Sequence, residues 1–200
     1  PYSTYSAQKH HMLAEQRKFG SYVSVMPFPV GQDHPDRPAL VVFGNILGVS
    51  QLSSRLAQEL REKNALVYGF GSTLNFNDNN DSGALGISAN YTAGKSAEVS
   101  KSVHKVLPDM ISKGVTEQEV EAAKADIMKK KVTALEDERR IHGMLAPQLE
   151  RGRDLLYSKQ RNQILANLTV ADVNAVIKKY IKPDQLVEVM SDQYGQVPKS

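Results

Sequence analysis

The spacing of histidines and carboxylates decides whether this chain can hold a catalytic metal. Its five histidines are His10, His11, His34, His104 and His142. None stands in H-E-x-x-H or H-x-x-E-H spacing, the arrangements that place two ligands one helical turn apart beside a glutamate base. The adjacent pair His10 and His11 would point about 100° apart on a helix and cannot share one face. With no cysteine in the sequence, thiolate ligands are excluded too, so we predict no metal site in this chain.

Motifs for nucleophilic or phosphate chemistry are also missing. The sequence has no G-x-S-x-G nucleophile elbow and no G-x-x-x-x-G-K phosphate-binding loop. Gly69, Gly71 and Ser72 make only a short G-x-G-S, which is too short for a dinucleotide-binding motif. The basic clusters at 129–131 and 139–140 adjoin acidic residues and lack interleaved aromatics, which favours a solvated helix face over a nucleic-acid site. Residue spacing alone therefore predicts no catalytic apparatus.

The composition is that of an ordinary soluble globular protein. The chain has 200 residues, of which 40% are hydrophobic and 24% charged, with a formal net charge of +3. Its longest apolar run, 39–43, is far shorter than the roughly 20 residues of a membrane span. The chain begins at Pro1, and we expect residues 1–20 to be a tail or the remnant of an upstream linker, residues 21–195 one domain and 196–200 a tail.

The first half of the chain predicts a strand, two helices and a hairpin. A strand is expected near 22–26, a loop at 31–38 and a buried helix at 39–47. A second helix should follow, with Ser50 as its N-cap and with an apolar stripe formed by Leu52, Leu56 and Leu60. From residue 66 the apolar period becomes two, with Tyr68 on the same parity as its apolar neighbours Leu66, Phe70, Leu74 and Phe76. The polar turn at 77–83 and the alternation at 85–91 then predict an antiparallel hairpin.

The second half is mainly helical. One helix should end at Gly114, and Thr116 with Glu119 forms a capping box that opens a long charged helix. Pro147 should interrupt that helix, and another helix is expected at 149–157. Thr169 caps a last helix, which stops before a final strand at 186–190. Together these elements predict an α+β fold, with helices packed on one face of a largely antiparallel sheet.

One stretch carries information about family. Residues 52–56 read L-S-S-R-L and residues 60–69 read L-R-E-K-N-A-L-V-Y-G, which strongly resembles the second half of pitrilysin/insulinase-type (inverzincin) zinc peptidases. The neighbouring segments H-P-D-R-P-A-L at 34–40, G-V-T-x-x-E at 114–119 and L-T-x-x-D-V at 168–173 agree with it. The resemblance covers roughly residues 22–193, and departs from the family at Val49 and Ala65, where glycine is usual.

This resemblance implies a division of labour between two halves. In the family, two similar α+β halves face each other around a closed chamber, and the first half holds zinc through H-x-x-E-H. The second half contributes an Arg and a Tyr, seven positions apart, which Arg61 and Tyr68 match. A guanidinium can bind a peptide carbonyl or carboxylate, and a phenol can stabilise an oxyanion by donating a hydrogen bond to it. We therefore expect the non-catalytic half of a zinc-dependent endopeptidase, with zinc in a partner half that lies upstream in the same polypeptide or in a partner subunit.

The residues by themselves leave other roles open. Tyr68 could be a tyrosine at the edge of the core with a local hydrogen-bond partner, and Arg61 a solvated helix charge. The whole fold could be a catalytically dead scaffold or a subunit-interaction module. We expect no nucleic-acid or membrane partner, self-association of the isolated chain into a homodimer, and a bacterial periplasmic or envelope location rather than a cytoplasmic one.

Overall fold

A computed structural model describes residues 6–13, 19–49, 54–63, 67–135, 149, 151–153 and 155–192 of the protein. The strands in these ranges are β1 (Gln8–Leu13), β2 (Phe19–Phe28), β3 (Val67–Phe76), β4 (Gly83–Thr92) and β5 (Val187–Asp192). The α-helices are α1 (Arg37–Gly44), α2 (Ser96–Lys113), α3 (Glu117–Leu135), α4 (Leu155–Asn167) and α5 (Val170–Tyr180). Two π-helical segments, Asn45–Val49 and Ala57–Lys63, and a 3₁₀ turn, Pro183–Gln185, complete the described elements.

The described strands form a single sheet in the order β1-β5-β2-β4-β3. Its neighbours are antiparallel except β1 and β5, which run parallel. The hairpin predicted around 77–83 joins β3 to β4, and its turn is closed by the bond from the Asn77 backbone N–H to the Ser82 carbonyl at 2.9 Å. These findings confirm the predicted α+β fold with a largely antiparallel sheet.

The helices cover one face of this sheet. Because side chains alternate along a strand, every second residue of β2 points toward the helices, and Tyr22, Met26 and Phe28 on that side are fully buried. Phe43 of α1 and Leu107 of α2 are fully buried in the same core. Burial of this apolar layer between sheet and helices stabilises the domain.

We call the opposite side of the sheet the open face. The pairing registers place on it positions 8, 10 and 12 of β1, the odd positions 19–27 of β2, the odd positions 69–75 of β3, the even positions 84–92 of β4 and positions 187, 189 and 191 of β5. Phe19, Val23 and Val25 on this face are 54%, 49% and 44% exposed. The open face therefore exposes several apolar side chains among small polar ones.

Thr116 and Thr169 cap the starts of α3 and α5, as the sequence predicted, and each is part of a capping box. At the start of α3, Thr116 Oγ1 accepts from the Glu119 backbone N–H at 3.2 Å, and Glu119 Oε2 accepts from the Thr116 backbone N–H at 2.8 Å. Thr169 and Asp172 make the same reciprocal pair at the start of α5. Each pair satisfies backbone donors that a helix leaves unpaired.

Two elements differ from the sequence prediction. Where a tail or linker remnant was expected over residues 1–20, Gln8–Leu13 forms a strand, because β5 offers it a parallel partner from the far end of the chain. The helix expected at 149–157 instead runs over Leu155–Asn167, since Gly152 has φ +68° and this left-handed conformation ends a helical turn. Ser50, Leu52, Leu66 and Pro147, on which other predictions rest, lie outside the described residues.

Candidate substrate-contacting site

A β-bulge decides the direction of Tyr68. Across the β3–β4 pair, Val67 lies opposite Tyr91 and Gly69 lies opposite Asn90, so Tyr68 is the extra residue between two consecutive pairs. One extra residue reverses the alternation that follows it. Val67 and Phe70 are therefore both buried on the helix side, at 8% and 7% exposed, whereas Tyr68 is 66% exposed.

The prediction that Tyr68 shares a face with Phe70 is consequently wrong. It assumed unbroken alternation from residue 66 to residue 76, and the bulge breaks that alternation between Val67 and Gly69. The sequence did contain a signal, because glycine inside a strand often marks a bulge. Gly69 directly follows Tyr68.

Two contacts hold the Tyr68 side chain on the open face. Its ring packs edge-on against Phe19, with centroids 5.1 Å apart and planes at 81°. Its hydroxyl lies 3.0 Å from Thr92 Oγ1. When the threonine hydroxyl is the donor, the phenol hydrogen remains free for another acceptor. Tyr68 is thus oriented by neighbours on the open face while its hydroxyl stays accessible.

The segment that carries Arg61 is tied to two other helices. Arg61 falls within the π-helix Ala57–Lys63, and its side chain lies outside the described part of the structure. Just before this segment, Arg55 makes a bidentate pair with Glu119 of α3, at 2.5 and 2.9 Å. Within it, buried Glu59 accepts from Lys105 of α2 at 2.8 Å. These ion pairs tie the described segment 54–63 to α2 and α3, and the approach of Arg61 to Tyr68 stays a prediction.

The described residues do not fit a metal site. No three His, Cys, Asp or Glu side chains come together in a way that could hold an ion within the ranges that the structure describes. His10 lies on the open face and His11 on the other side of β1, since successive strand residues alternate. Within those ranges, the structure therefore gives no zinc site.

A buried carboxylate lies between the sheet and α2. Glu188 of β5 is 1% exposed, and it accepts from the Tyr22 hydroxyl at 2.9 Å and the Ser100 hydroxyl at 2.8 Å. His104 Nε2 lies 2.7 Å from its other oxygen, and Lys9 Nζ of β1 lies 3.3 Å from that same atom. We call this set of residues the Glu188 network.

The Glu188 network favours the charged form of its carboxylate. Burial raises the pKa of Glu188, but hydrogen bonds with His104, Ser100 and Tyr22 outweigh that effect, so the pKa is lowered below its ordinary value. Burial, together with the nearby Glu188 charge, raises the pKa of the Tyr22 hydroxyl. The tyrosine therefore stays a neutral donor. Sequence reasoning missed this network because its members come from β1, β2, α2 and β5, which are far apart in the chain.

Comparison with known proteins agrees with the fold and indicates the family. The family model described as the peptidase M16 inactive domain matches residues 3–127. An uncharacterized zinc protease of Mycobacterium leprae is 35% identical over 152 residues, which are 73% of this chain and 32% of that protein. The chain thus spans about a third of the length of the curated relatives it matches.

Two solved structures share the fold. The peptidase M16 inactive domain from Pseudomonas fluorescens has a TM-score of 0.82 at 24% identity, over 99% of this chain and 46% of that one. The periplasmic protease PqqL from Escherichia coli has a TM-score of 0.75 at 16% identity, over 96% of this chain and 21% of that one. Since the family model covers more than half of the 200 residues, this chain belongs to the peptidase M16 inactive-domain family, which confirms the resemblance seen at residues 52–69.

Proposed function

We propose that this chain is the non-catalytic half of a zinc-dependent endopeptidase, closing the substrate chamber with the open face of its sheet. The observation that carries the proposal is the bulge that turns Tyr68 onto this face with an accessible hydroxyl. Zinc belongs to the partner half, since the described residues of this chain contain no cluster that fits it. The names of the curated relatives, which are zinc proteases, support the assignment.

Tyr68 has the chemistry for contact with a peptide at the reacting centre. Hydrolysis places negative charge on the carbonyl oxygen of the peptide bond, and a donor fixed beforehand stabilises that charge more than the ground state. The ring contact with Phe19 and the hydroxyl contact with Thr92 restrict the Tyr68 side chain before substrate arrives. The phenol hydrogen can then point to the peptide oxygen.

Arg61 is proposed to hold the peptide rather than to take part in bond cleavage. A guanidinium presents a planar pair of donors to a carbonyl or carboxylate, whereas lysine keeps only the charge. We expect Arg61→Lys in the complete peptidase to raise KM about 10-fold with little change in kcat. Steady-state kinetics measure this effect.

Arg55→Lys is the matched control for Arg61→Lys. It removes the bidentate pair with Glu119 and should lower thermal stability without changing KM. An unchanged KM in Arg61→Lys would contradict substrate binding by this residue.

The chain alone should neither hold zinc nor cleave peptides. We expect metal analysis of the purified chain to show no stoichiometric zinc, and a fluorogenic peptide assay to show no hydrolysis that a chelator stops. Addition of the zinc-binding half should restore hydrolysis. Zinc with chelator-sensitive cleavage in the chain alone would overturn the division of labour, and no cleavage by the two halves together would favour the scaffold alternative.

A location in the bacterial periplasm or envelope is the remaining part of the proposal. None of the described helices combines the length and the apolar character needed to cross a bilayer. The periplasmic protease PqqL, which shares the fold, supports an envelope location.

A further inference from the structure

Three basic side chains from three different helices come together at the loop that leads into α1. Arg161 of α4 donates to the backbone carbonyls of positions 32 and 34 in this loop, at 2.5 and 3.4 Å. The carbonyl of position 34 also accepts from the backbone N–H of Arg37, the first residue of α1, at 3.1 Å. Lys131 of α3 donates to Oδ1 of Asn162, the neighbour of Arg161 on α4, at 2.5 Å. We call Arg37, Lys131 and Arg161 the basic cluster.

No carboxylate among the described residues forms an ion pair with the basic cluster. Two nearby carboxylates, Asp33 and Asp78, accept instead from Arg153, at 2.7 and 2.6 Å. The lysine beside the cluster on α3 does have a partner, since Lys130 Nζ lies 2.6 Å from Asp126 Oδ2. The described part of the structure thus brings three cations together without an anion between them.

The basic cluster is held in place against the repulsion of its own charges. The guanidinium groups of Arg37 and Arg161 lie over the rings of Phe76 and Tyr157, at 4.9 and 5.6 Å from the centroids. The Nε atoms of both arginines are buried and have no hydrogen-bond partner among the described residues. Burial and the charge of Arg161 lower the pKa of Arg37, and partial burial with the charges of both arginines lowers the pKa of Lys131. Cations that are partly desolvated and unpaired cost free energy, so this arrangement is typical of a site that binds an anion.

We propose that Arg37, Lys131 and Arg161 bind a phosphate group on the helical side of the sheet. A carboxylate offers one negative charge and two oxygens, whereas a phosphate group offers about −1.5 to −2 charges and three strong acceptor oxygens at pH 7. Two planar guanidinium groups and one ammonium group match this higher charge and larger number of acceptors. The bound phosphate cancels the repulsion within the basic cluster and ties α1, α3 and α4 together. Because the helices lie opposite the open face, this inference does not depend on the proposed function.

Lys131→Gln in the complete protein tests the site by calorimetric titration with inorganic phosphate. Wild type should bind one phosphate, and the variant should bind it about 10- to 100-fold more weakly, because one hydrogen bond between charged groups is lost. Lys130→Gln removes the same charge from the next position of α3, where the lysine already pairs with Asp126. This matched control should keep the wild-type phosphate affinity. No phosphate binding by wild type, or equal affinity in wild type and Lys131→Gln, would overturn the site.

The class of anion is tested by titrating the complete protein with inorganic phosphate, adenosine monophosphate and acetate at one ionic strength. Binding of the first two ligands would support a site that accepts phosphate esters, and binding of inorganic phosphate alone would support free phosphate as the ligand. Acetate should bind at least about 10-fold more weakly than phosphate, because it carries a single charge and only two acceptor oxygens. Equal affinity for acetate and phosphate would overturn the phosphate assignment.

The sign of a stability change tests whether the basic cluster is unpaired in the protein. At low salt and without phosphate, Lys131→Gln removes repulsion, so its melting temperature should equal or exceed that of wild type. Phosphate at constant ionic strength should raise the melting temperature of wild type and Lys130→Gln, but not that of Lys131→Gln. The acidic residues at 136–138 lie outside the described residues. A lower melting temperature of Lys131→Gln without phosphate would show that a carboxylate of the protein already pairs with Lys131, and would overturn the phosphate site.

Discussion

Tyr68→Phe is expected to lower kcat of the complete peptidase roughly 10- to 1,000-fold, a loss of about 1.4 to 4 kcal/mol of transition-state stabilisation. The variant keeps the ring against Phe19 and loses only the hydroxyl. Because that hydroxyl lies on an exposed side chain and its partner Thr92 is also exposed, water can replace the lost hydrogen bond. The melting temperature should therefore change little, and kinetics with calorimetry on the same sample measure both quantities.

Tyr180→Phe supplies the matched control for this prediction. It makes the same chemical change on the helical side, where the Tyr180 hydroxyl donates to Asp36 Oδ2 at 2.7 Å. Loss of a hydrogen bond to a charged group should cost about 1.5 to 3 kcal/mol of folding stability and leave kcat unchanged. Wild-type kcat with a lowered melting temperature in Tyr68→Phe would show that Tyr68 is a structural residue, and the proposed role would be withdrawn.

The largest expected effect on stability is that of Glu188→Ala. Removing the carboxylate leaves the hydroxyls of Tyr22 and Ser100 without this acceptor and the charge of Lys9 without this partner. Breaking a buried charged network by deleting one member costs roughly 3 to 5 kcal/mol. For a chain of this size, that loss corresponds to a fall of about 6 to 20 °C in melting temperature. Urea unfolding and thermal melts measure the two effects.

Two further variants separate the charge from the packing of Glu188. Glu188→Gln keeps the shape and one acceptor, so we expect a smaller loss of about 1 to 2 kcal/mol. Glu98→Ala removes an exposed carboxylate that pairs with Lys95, and should cost less than about 1 kcal/mol. Equal stability of Glu188→Ala and Glu98→Ala would contradict the structural importance of the Glu188 network.

The Glu188 network also predicts a pH dependence. The pKa of Glu188 is lower in the folded state than its ordinary value, so the folded protein binds fewer protons at this site than the unfolded chain. The stabilisation is therefore complete above the unfolded pKa of about 4.3 and is lost as the pH falls through the folded pKa. The difference in unfolding free energy between wild type and Glu188→Gln should narrow below about pH 4. A difference that stays constant from neutral to acidic pH would contradict this assignment.

Local sequence patterns were sufficient to predict the fold class and most of the helices and strands. The capping boxes at Thr116 and Thr169 depend on residues three positions apart, and the hairpin depends on one polar turn between two alternating segments. Such short-range interactions are visible in the sequence because the residues that make them are neighbours in it. The same is true of the stretch at 52–69, whose resemblance to a known family identified the chain.

The direction of Tyr68, the pairing of β1 and the composition of the open face were decided only by the tertiary structure. The bulge at Tyr68 exists because β3 must match the register of β4 while Val67 and Phe70 both reach the core. The strand at Gln8–Leu13 depends on β5, almost the whole chain length away. Single residues spread over five strands show no common pattern until the sheet brings them to one face. Long-range pairing therefore decides which of the residues seen in the sequence share the open face.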